Sequence, residues 1–477
     1  MAFSRILLWL GYALIYYAVL MLVTGLAGFL FGEFHQARLF LFLAFIITTL
    51  GLIITFIGQN APTRENTRDA LVFLVIFWVL IPLVTCLPYL SLPQVPSFAV
   101  AYFEAASATT TTGASTLNPD TLPKSIILWQ SLLQWSGGVM VATFAVVLLA
   151  ALNLTGIGVH RSTLFTLKKG EIFSRLISIG RLIAVLYGLI SFISFCFIMI
   201  SGTPAFEALC LSLTAISTGG LVPRSGILAD YVSGFGVLVL ALTCLLGAAN
   251  VSVLWDVLRR HNLKAVGALF DNVEHRGLLA LVIILIIAGF LSTGAAHLYT
   301  VLIEAMFMVS STGYDYHVIG IDMVPASLLI ALALVGGSAL STAGGIKIIR
   351  MLLLFRHLRT DLDRMSHPLR VKPVKFQGRT VEDKAFLSIW MYFFGYTLVF
   401  SFGITALAAS GLDFIHAVSA AASALSNTGP LLAATNPEIA YADMNVLSLV
   451  ILTIVMLLGR IEILAVFALF APSFWRS

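Results

Sequence analysis

The sequence predicts an all-α polytopic membrane protein. Two N-terminal helices precede four repeats of long helix, short pore helix and long helix (M1–pore-helix–M2), in pseudo-fourfold arrangement around one ion pore. Three observations lead there. Hydrophobic residues make up 60% of the 477 and charged residues only 10%, against about 25% charge in a soluble chain. Four apolar segments of about a dozen residues, too short to cross a bilayer, end in nearly the same letters: Thr110-Thr111-Thr112-Gly113, Ser217-Thr218-Gly219-Gly220, Ser310-Ser311-Thr312-Gly313 and Ser426-Asn427-Thr428-Gly429. Each is bracketed by segments long enough to cross.

The first apolar stretch, about Ile6 to Phe31, is long enough to remain as a spanning helix, and no cleavable signal is evident. Helices are expected at 5–31 and 38–58. The first repeat places helices at about 69–91, 99–110 and 125–152, and the second at 177–201, 204–217 and 229–256. The third places them at 275–295, 297–310 and 323–358, and the fourth at 384–410, 413–426 and 444–471. The chain divides accordingly into 1–68 (N-terminal helices), 69–160, 161–264, 265–372 and 373–477 (the four repeats). The tetrad glycines lie 107, 93 and 116 residues apart. That is too long for a solenoid and suits parallel repeats about an axis along the membrane normal.

Charge placement orients the chain. With the N-terminus inside, only Arg38, Lys124 and Arg224 of the 27 basic residues fall on outer loops. Both termini are therefore expected in the cytoplasm. The net charge of +5 is a topological signal, and no nucleic-acid partner is required. Outer loops hold Glu33, Asp120, Asp230, Asp315, Asp322, Glu438 and Asp443, which as a vestibule would concentrate cations. Cys86, Cys196, Cys210 and Cys244 lie in apolar stretches without metal-ligand spacing and read as buried, reduced thiols.

A dehydrated monovalent cation needs its water shell replaced by neutral oxygens. Inward-pointing carbonyls supply them, glycine tolerates the backbone angles, and hydroxyls add oxygens. The filter is therefore expected at Thr111, Thr112 and Gly113, at Thr218, Gly219 and Gly220, at Ser311, Thr312 and Gly313, and at Asn427, Thr428 and Gly429. The last glycine of all four copies keeps side chains out of the ring, which favours the larger potassium ion as the bound metal. No carboxylate lies inside a tetrad, which argues against a divalent-cation filter. Glu104 and Glu304 sit nine residues before their glycines, and Glu207 and His416 thirteen. These positions suit anchors for the pore helices, whose C-terminal ends would point negative potential at the axis.

Two single-copy features lie within spanning segments. Arg460 in Leu458-Gly459-Arg460-Ile461-Glu462 is a charge at membrane depth, which needs a partner or water. It reads as a barrier below the filter or as a helix tie. The run from Gly336 to Lys347, with Gly336, Gly337, Gly344 and Gly345, interrupts a segment otherwise fit to span. It reads as a flexible loop that plugs the path, with Lys347 stabilising one state.

With these motifs, and with Gln134-Trp135-Ser136-Gly137-Gly138, the chain resembles the Trk/Ktr/HKT superfamily of potassium transporters, in its TrkH branch, over essentially its whole length. The resemblance implies four repeats around one pore, a homodimer in the bacterial inner membrane, and a cytosolic nucleotide-binding regulatory subunit of the TrkA or KtrA type. It implies potassium as substrate, lipid as surroundings and no cofactor on this chain. It makes Gly113, Gly220, Gly313 and Gly429 the filter glycines, Gly336–Gly345 the intramembrane gate and Arg460 the barrier arginine. Departures are Leu431 after Gly429-Pro430, where the branch has a second glycine, and Tyr314-Asp315-Tyr316 after the third tetrad. The expected function is gated, channel-like potassium uptake; the alternative is a symporter coupling potassium to sodium or protons. No nucleophile elbow, HExxH or intramembrane aspartate pair suggests an enzyme.

Overall fold

The computed structural model describes residues 3–60, 67–151, 172–260, 267, 269–317, 324–367, 375–376, 379–380, 383–461 and 463–470. Apart from a two-residue antiparallel ladder, β1 (Lys375–Phe376) with β2 (Arg379–Thr380), every described regular element is helical. Six described helices are long and apolar enough to cross a membrane, or seven if one bent pair counts as a span. The all-α membrane architecture read from the sequence is the one adopted.

α1 (Phe3–Leu30) and α2 (Phe34–Gly58) form an antiparallel hairpin. Small residues let the backbones close: a Cβ on Gly51 would lie 2.8 Å from Ile15 and 3.1 Å from the Gly11 carbonyl oxygen. α2 starts four residues before the expected position because Gly32, at φ +76°, reverses the chain at once.

The first repeat stretch forms α3 (Thr67–Thr85), α4 (Phe98–Thr109) and α5 (Lys124–Ala151). The second forms α6 (Ile172–Ile200), α7 (Ala205–Ile216), α8 (Gly234–Ala248) and α9 (Val251–Arg260). The third forms α10 (Val273–Thr293), α11 (Leu298–Val309), α12 (Ala326–Val335) and α13 (Ile348–Ser366). The fourth forms α14 (Asp383–Ala409), α15 (Phe414–Leu425), α16 (Leu431–Thr435), α17 (Val446–Arg460) and α18 (Ile463–Phe470). The expected division at 68/69 falls inside α3, whereas those at 160/161, 264/265 and 372/373 lie outside the described residues.

The last helix of a repeat is continuous only in the first. The expected 229–256 helix is two helices meeting at 105°. Asn250 makes the break: its side chain caps α9 through the Ser252 amide (3.1 Å) and hydroxyl (2.6 Å). The third repeat opens between α12 and α13, as its glycines predict. The fourth breaks at Ile461, just after Arg460; Glu462 lies outside the described residues.

One core joins the α1–α2 hairpin to the first and fourth repeats through Tyr17, Phe40, Phe77, Trp78, Phe103 and Trp129, all buried. A second joins the second and third repeats around Leu211, Leu240, Leu285 and Phe307. The hairpin is pinned at both ends. Buried Arg5 faces Asp69 at 3.8 Å. At the opposite end Glu33 accepts from the amides of Lys124 (2.6 Å) and Ser125 (2.9 Å) and from the Ser125 hydroxyl. A carboxylate at those free amides also complements the N-terminal dipole of α5. Glu33→Ala is predicted to lower stability by about 1–3 kcal/mol. The purified protein in detergent should melt several degrees earlier; an unchanged melting curve would show that the contact holds nothing.

Candidate functional site

The four short helices α4, α7, α11 and α15 have the same length, 12 residues, and each ends four residues before its tetrad glycine. They also end in the same way. In the first copy the Thr111 amide donates to the Ala108 carbonyl and the Thr112 amide to the Ser107 carbonyl. The same two bonds recur at Thr218 and Gly219, at Ser311 and Thr312, and at Asn427 and Thr428. This closure requires a left-handed residue, normally glycine. Here it is Thr111 (φ +52°), Thr218 (+52°), Ser311 (+62°) and Asn427 (+50°). A side chain in that region costs roughly 1–2 kcal/mol. Gly113, Gly220 and Gly313 also have positive φ, but Gly429 does not. The special backbone conformation was expected at the glycines. It is shared with the residue two positions earlier and is borne by that residue in all four copies.

The tetrads meet in sequence order. No Cβ fits on Gly113 beside the Gly219 carbonyl. A Cβ on Gly220 would lie 2.5 Å from the Thr312 carbonyl oxygen, and one on Gly313 would lie 3.1 Å from Pro430. The Gly429 amide donates to the Thr112 carbonyl at 2.6 Å, which closes the ring. All twelve expected filter residues therefore come together, and the seven with side chains are buried. Pro430 also stands 3.2 Å from the Cβ position of Gly220, so the fourth copy reaches across the ring. Leu431 starts α16 and is buried in the second core.

Surrounding groups hold these irregular backbones. Glu104 accepts from the Thr116 amide (2.6 Å) and the hydroxyls of Ser115 (2.7 Å) and Thr116 (2.8 Å). Glu304 accepts from the amides of Tyr316 (3.3 Å) and His317 (3.0 Å). The two glutamates are anchors, in the same role on alternate copies. In the fourth copy Ser423 and Tyr441 both donate to the Gly429 carbonyl at 2.9 Å. In the second, Gln134 Nε2 donates to the Gly219 carbonyl at 2.6 Å, and Thr214 pairs with the Tyr314 hydroxyl. Glycines on three long helices lie against the last carbonyl of a short one: Gly137 on Thr109, Gly247 on Ile216 and Gly459 on Leu425. Gln134, Tyr441 and Gly247 were not picked out as site residues. Gln134 carried one usable signal, a polar side chain in an apolar span.

Directly beneath lies the glycine-rich loop. Gly344 donates its amide to the Ser311 hydroxyl at 3.0 Å, and a Cβ there would overlap the Ser426 carbonyl. Thr342 is fully buried. Its hydroxyl meets Thr218 at 3.2 Å and donates to the Gly247 carbonyl at 3.0 Å. Gly336, at φ +74°, packs against Gly344 and Gly345, and Gly337 faces Ala343. Lys347, itself at φ +82°, folds its ammonium back onto the carbonyls of Ser341 (3.2 Å) and Ala343 (2.5 Å). Behind the loop, buried Glu274 accepts from the Ala339 amide at 2.8 Å and from Asn250 at 3.4 Å.

Arg460 joins ring and loop. Its Nε donates to the Thr110 carbonyl and Nη1 to the Thr342 carbonyl, both at 2.5 Å, while Nη2 reaches the Thr111 hydroxyl. The guanidinium also borders a cavity of about 50 Å³ with Gly344, Gly345, Lys347 and Tyr392. On the far side of the ring are two larger cavities. One of about 310 Å³ is bordered by Gly113, Gly220 and Gly429, and one of about 290 Å³ by Gly220, Gly313, Glu304 and Asp315. Pro430 borders both.

The acidic vestibule is sparser than its sequence count. Glu33 caps α5, Asp443 accepts from the Ala440 amide (3.0 Å), and Glu438 pairs with His416 (2.9 Å). The hydroxyl and amide of Ser225 hold the Asp120 carboxyl below its usual range. Among the described acids only Glu304 and Asp315 border the cavities at the ring; Asp322 lies outside the described residues.

The family described as TrkH, cation transport protein, matches residues 35–321 and 300–477. The Trk system potassium uptake protein TrkH of Salmonella typhimurium is 28% identical over 490 residues, covering 100% of both chains. The Trk system potassium uptake protein TrkG of Escherichia coli K12 is 29% identical, covering 88% of each. The crystal structure of the potassium transporter TrkH from Vibrio parahaemolyticus superposes with a TM-score of 0.86 at 26% identity, covering 100% of both chains. The family match spans the α1–α2 junction to the C-terminus and contains the ring, the loop and Arg460: the chain belongs to the TrkH family of cation transport proteins, integral to the membrane and not enzymes.

Proposed function

We propose that this protein takes up potassium across the bacterial cytoplasmic membrane through one gated, channel-like pore, with both termini in the cytoplasm. The observation that carries the reading is the ring of four identically terminated short helices. In it the repeats stand pseudo-fourfold about the pore, and the carbonyls of the twelve tetrad residues form the filter. Four helix C-termini directed at one ring favour a cation there, and a wall of neutral oxygens suits an ion that sheds its water. The Salmonella and Vibrio relatives, a potassium uptake protein and a potassium transporter, support the ion.

The loop 336–345 is the gate in this reading, and its present position is the closed one. Opening requires Thr342 to leave Thr218, Gly247 and Arg460, and Gly344 to leave Ser311. Lys347 holds the loop's own carbonyls together as it moves. Arg460 acts twice: it latches the loop and places positive charge on the path below the filter. The inside-negative membrane potential drives entry, at about 2.3 kcal/mol per unit charge per 100 mV. A homodimer and a cytosolic nucleotide-binding regulatory subunit of the TrkA or KtrA type complete the proposal; the relatives' description as parts of a Trk system supports a multi-component assembly.

The test is potassium flux into proteoliposomes. Uptake that follows the potassium gradient and voltage, with no sodium or proton gradient, is expected. Strict dependence on a co-ion would establish the symporter instead. Arg460→Ala is predicted to raise flux severalfold in protein without its regulatory partner; unchanged flux in a folded variant would leave Arg460 as a helix tie only. Deleting three residues of 338–343 should give conduction independent of the partner, and a folded but silent variant would refute the plug. Gly429→Ala places a methyl against Ala114 and the Gly113 carbonyl carbon. It should abolish flux in protein that still elutes as the native species, and wild-type flux would remove Gly429 from the pore.

A further inference from the structure

We infer that the cleft between α1, α3, α5 and α6 binds an anionic phospholipid, with an acyl chain among its aromatic rings and the phosphate on Arg181. The cleft encloses about 290 Å³ and is walled by Trp9, Tyr16, Phe73, Phe77, Phe144 and other apolar side chains, with Arg181 at its edge. Arg181 lies six residues, about 9 Å of helix rise, from the start of the 26-residue apolar helix at Arg175; that helix is longer than the roughly 30 Å hydrocarbon core, which puts Arg181 at headgroup level.

Arg181 is exposed and borders the cleft. Among the described residues it makes no hydrogen bond, ion pair or ring contact. At that level, on a lipid-facing surface, the anion within reach of an unpaired guanidinium is a lipid phosphate, met by extending the side chain toward the headgroups. Basic positions between helices beside an apolar cleft are the geometry that holds an anionic headgroup with its chain. The neighbouring residues enlarge the cleft: Gly180 faces Thr143, which turns its hydroxyl back to the Val139 carbonyl at 2.6 Å.

The site stands one ring from the pore machinery. Phe144 borders this cleft and also the small cavity at Arg460. It packs edge-on against Phe77 at 5.0 Å and Trp78 at 6.2 Å, which face the cleft and the small cavity respectively. An acyl chain in the cleft therefore supports the wall behind the Arg460 latch. The leaflet is the one on the N-terminal side, cytoplasmic in the orientation proposed above; the binding itself does not depend on that orientation.

Native mass spectrometry of the full-length protein, delipidated and titrated with phosphatidylglycerol or phosphatidylcholine of matched chains, tests the site. Phosphatidylglycerol should be retained about fivefold more, the equivalent of roughly 1 kcal/mol for one basic residue at an anionic headgroup. Arg181→Gln should remove that preference. Gly180→Leu keeps the charge and places a larger side chain at the cleft; its Cβ would meet Thr143 at an ordinary 3.5 Å. This variant should lose retention of both lipids. Wild-type preference in folded Arg181→Gln would overturn the proposal, as would wild-type retention in Gly180→Leu, which decides the matter if Arg181→Gln does not fold.

Discussion

Arg460 can sit at membrane depth only because carbonyl and hydroxyl oxygens surround it, and those oxygens belong to two different structures. Thr110 and Thr111 come from the end of the first short helix, and Thr342 from the loop below the ring. A guanidinium has five donors in a rigid plane, so it couples the positions of both partners in a way that one flexible ammonium cannot. Breaking the coupling leaves either a buried charge or unpaired carbonyls, each costly away from water. The break in the last helix at Ile461 follows from this: the chain stops being helical where its arginine turns into the centre.

The ring itself depends on a second constraint. Non-helical backbone survives within a membrane only when protein satisfies it or a cavity wets it. Each copy meets this with the same two amide-to-carbonyl bonds and then with side chains that alternate or differ: Glu104 and Glu304 in the first and third, Gln134 at the second, and Ser423 with Tyr441 at the fourth. The four copies share the backbone solution and differ in the anchoring. Left-handed threonine or serine in three copies is a strained choice where glycine would be relaxed, and such strain concentrates at functional sites. It keeps a hydroxyl at the lower edge of the ring, where Thr111 meets Arg460, Thr218 meets Thr342 and Ser311 meets Gly344. The hydroxyl residues therefore seat the loop as well as closing the ring.

Much of this was legible along the chain. The tetrads, the glycine-rich interruption and Arg460 are local patterns whose composition conflicts with an ordinary apolar span, so they declare themselves. The α1–α2 hairpin and the twelve-residue helices follow from hydrophobic length. What was not legible depends on a partner distant in sequence. Gln134 meets Gly219 and Tyr441 meets Gly429 only after the repeats assemble. Asn250 looks like one polar residue in a long helix, yet it ends one helix and starts another because the loop's Leu340 carbonyl takes the Val251 amide at 2.9 Å. The outer acids look like a field when counted; when placed, Glu33 and Asp443 cap backbone amides, Asp120 ties Ser225 and Glu438 pairs with His416.

The claim that the four tetrads surround one permeating cation is tested most directly by anomalous diffraction from crystals grown with rubidium in place of potassium. The account predicts anomalous peaks inside the ring bounded by Gly113, Gly220, Gly313 and Gly429, on the side of the ring away from Arg460. Rubidium bound elsewhere, with none inside that ring, would contradict it.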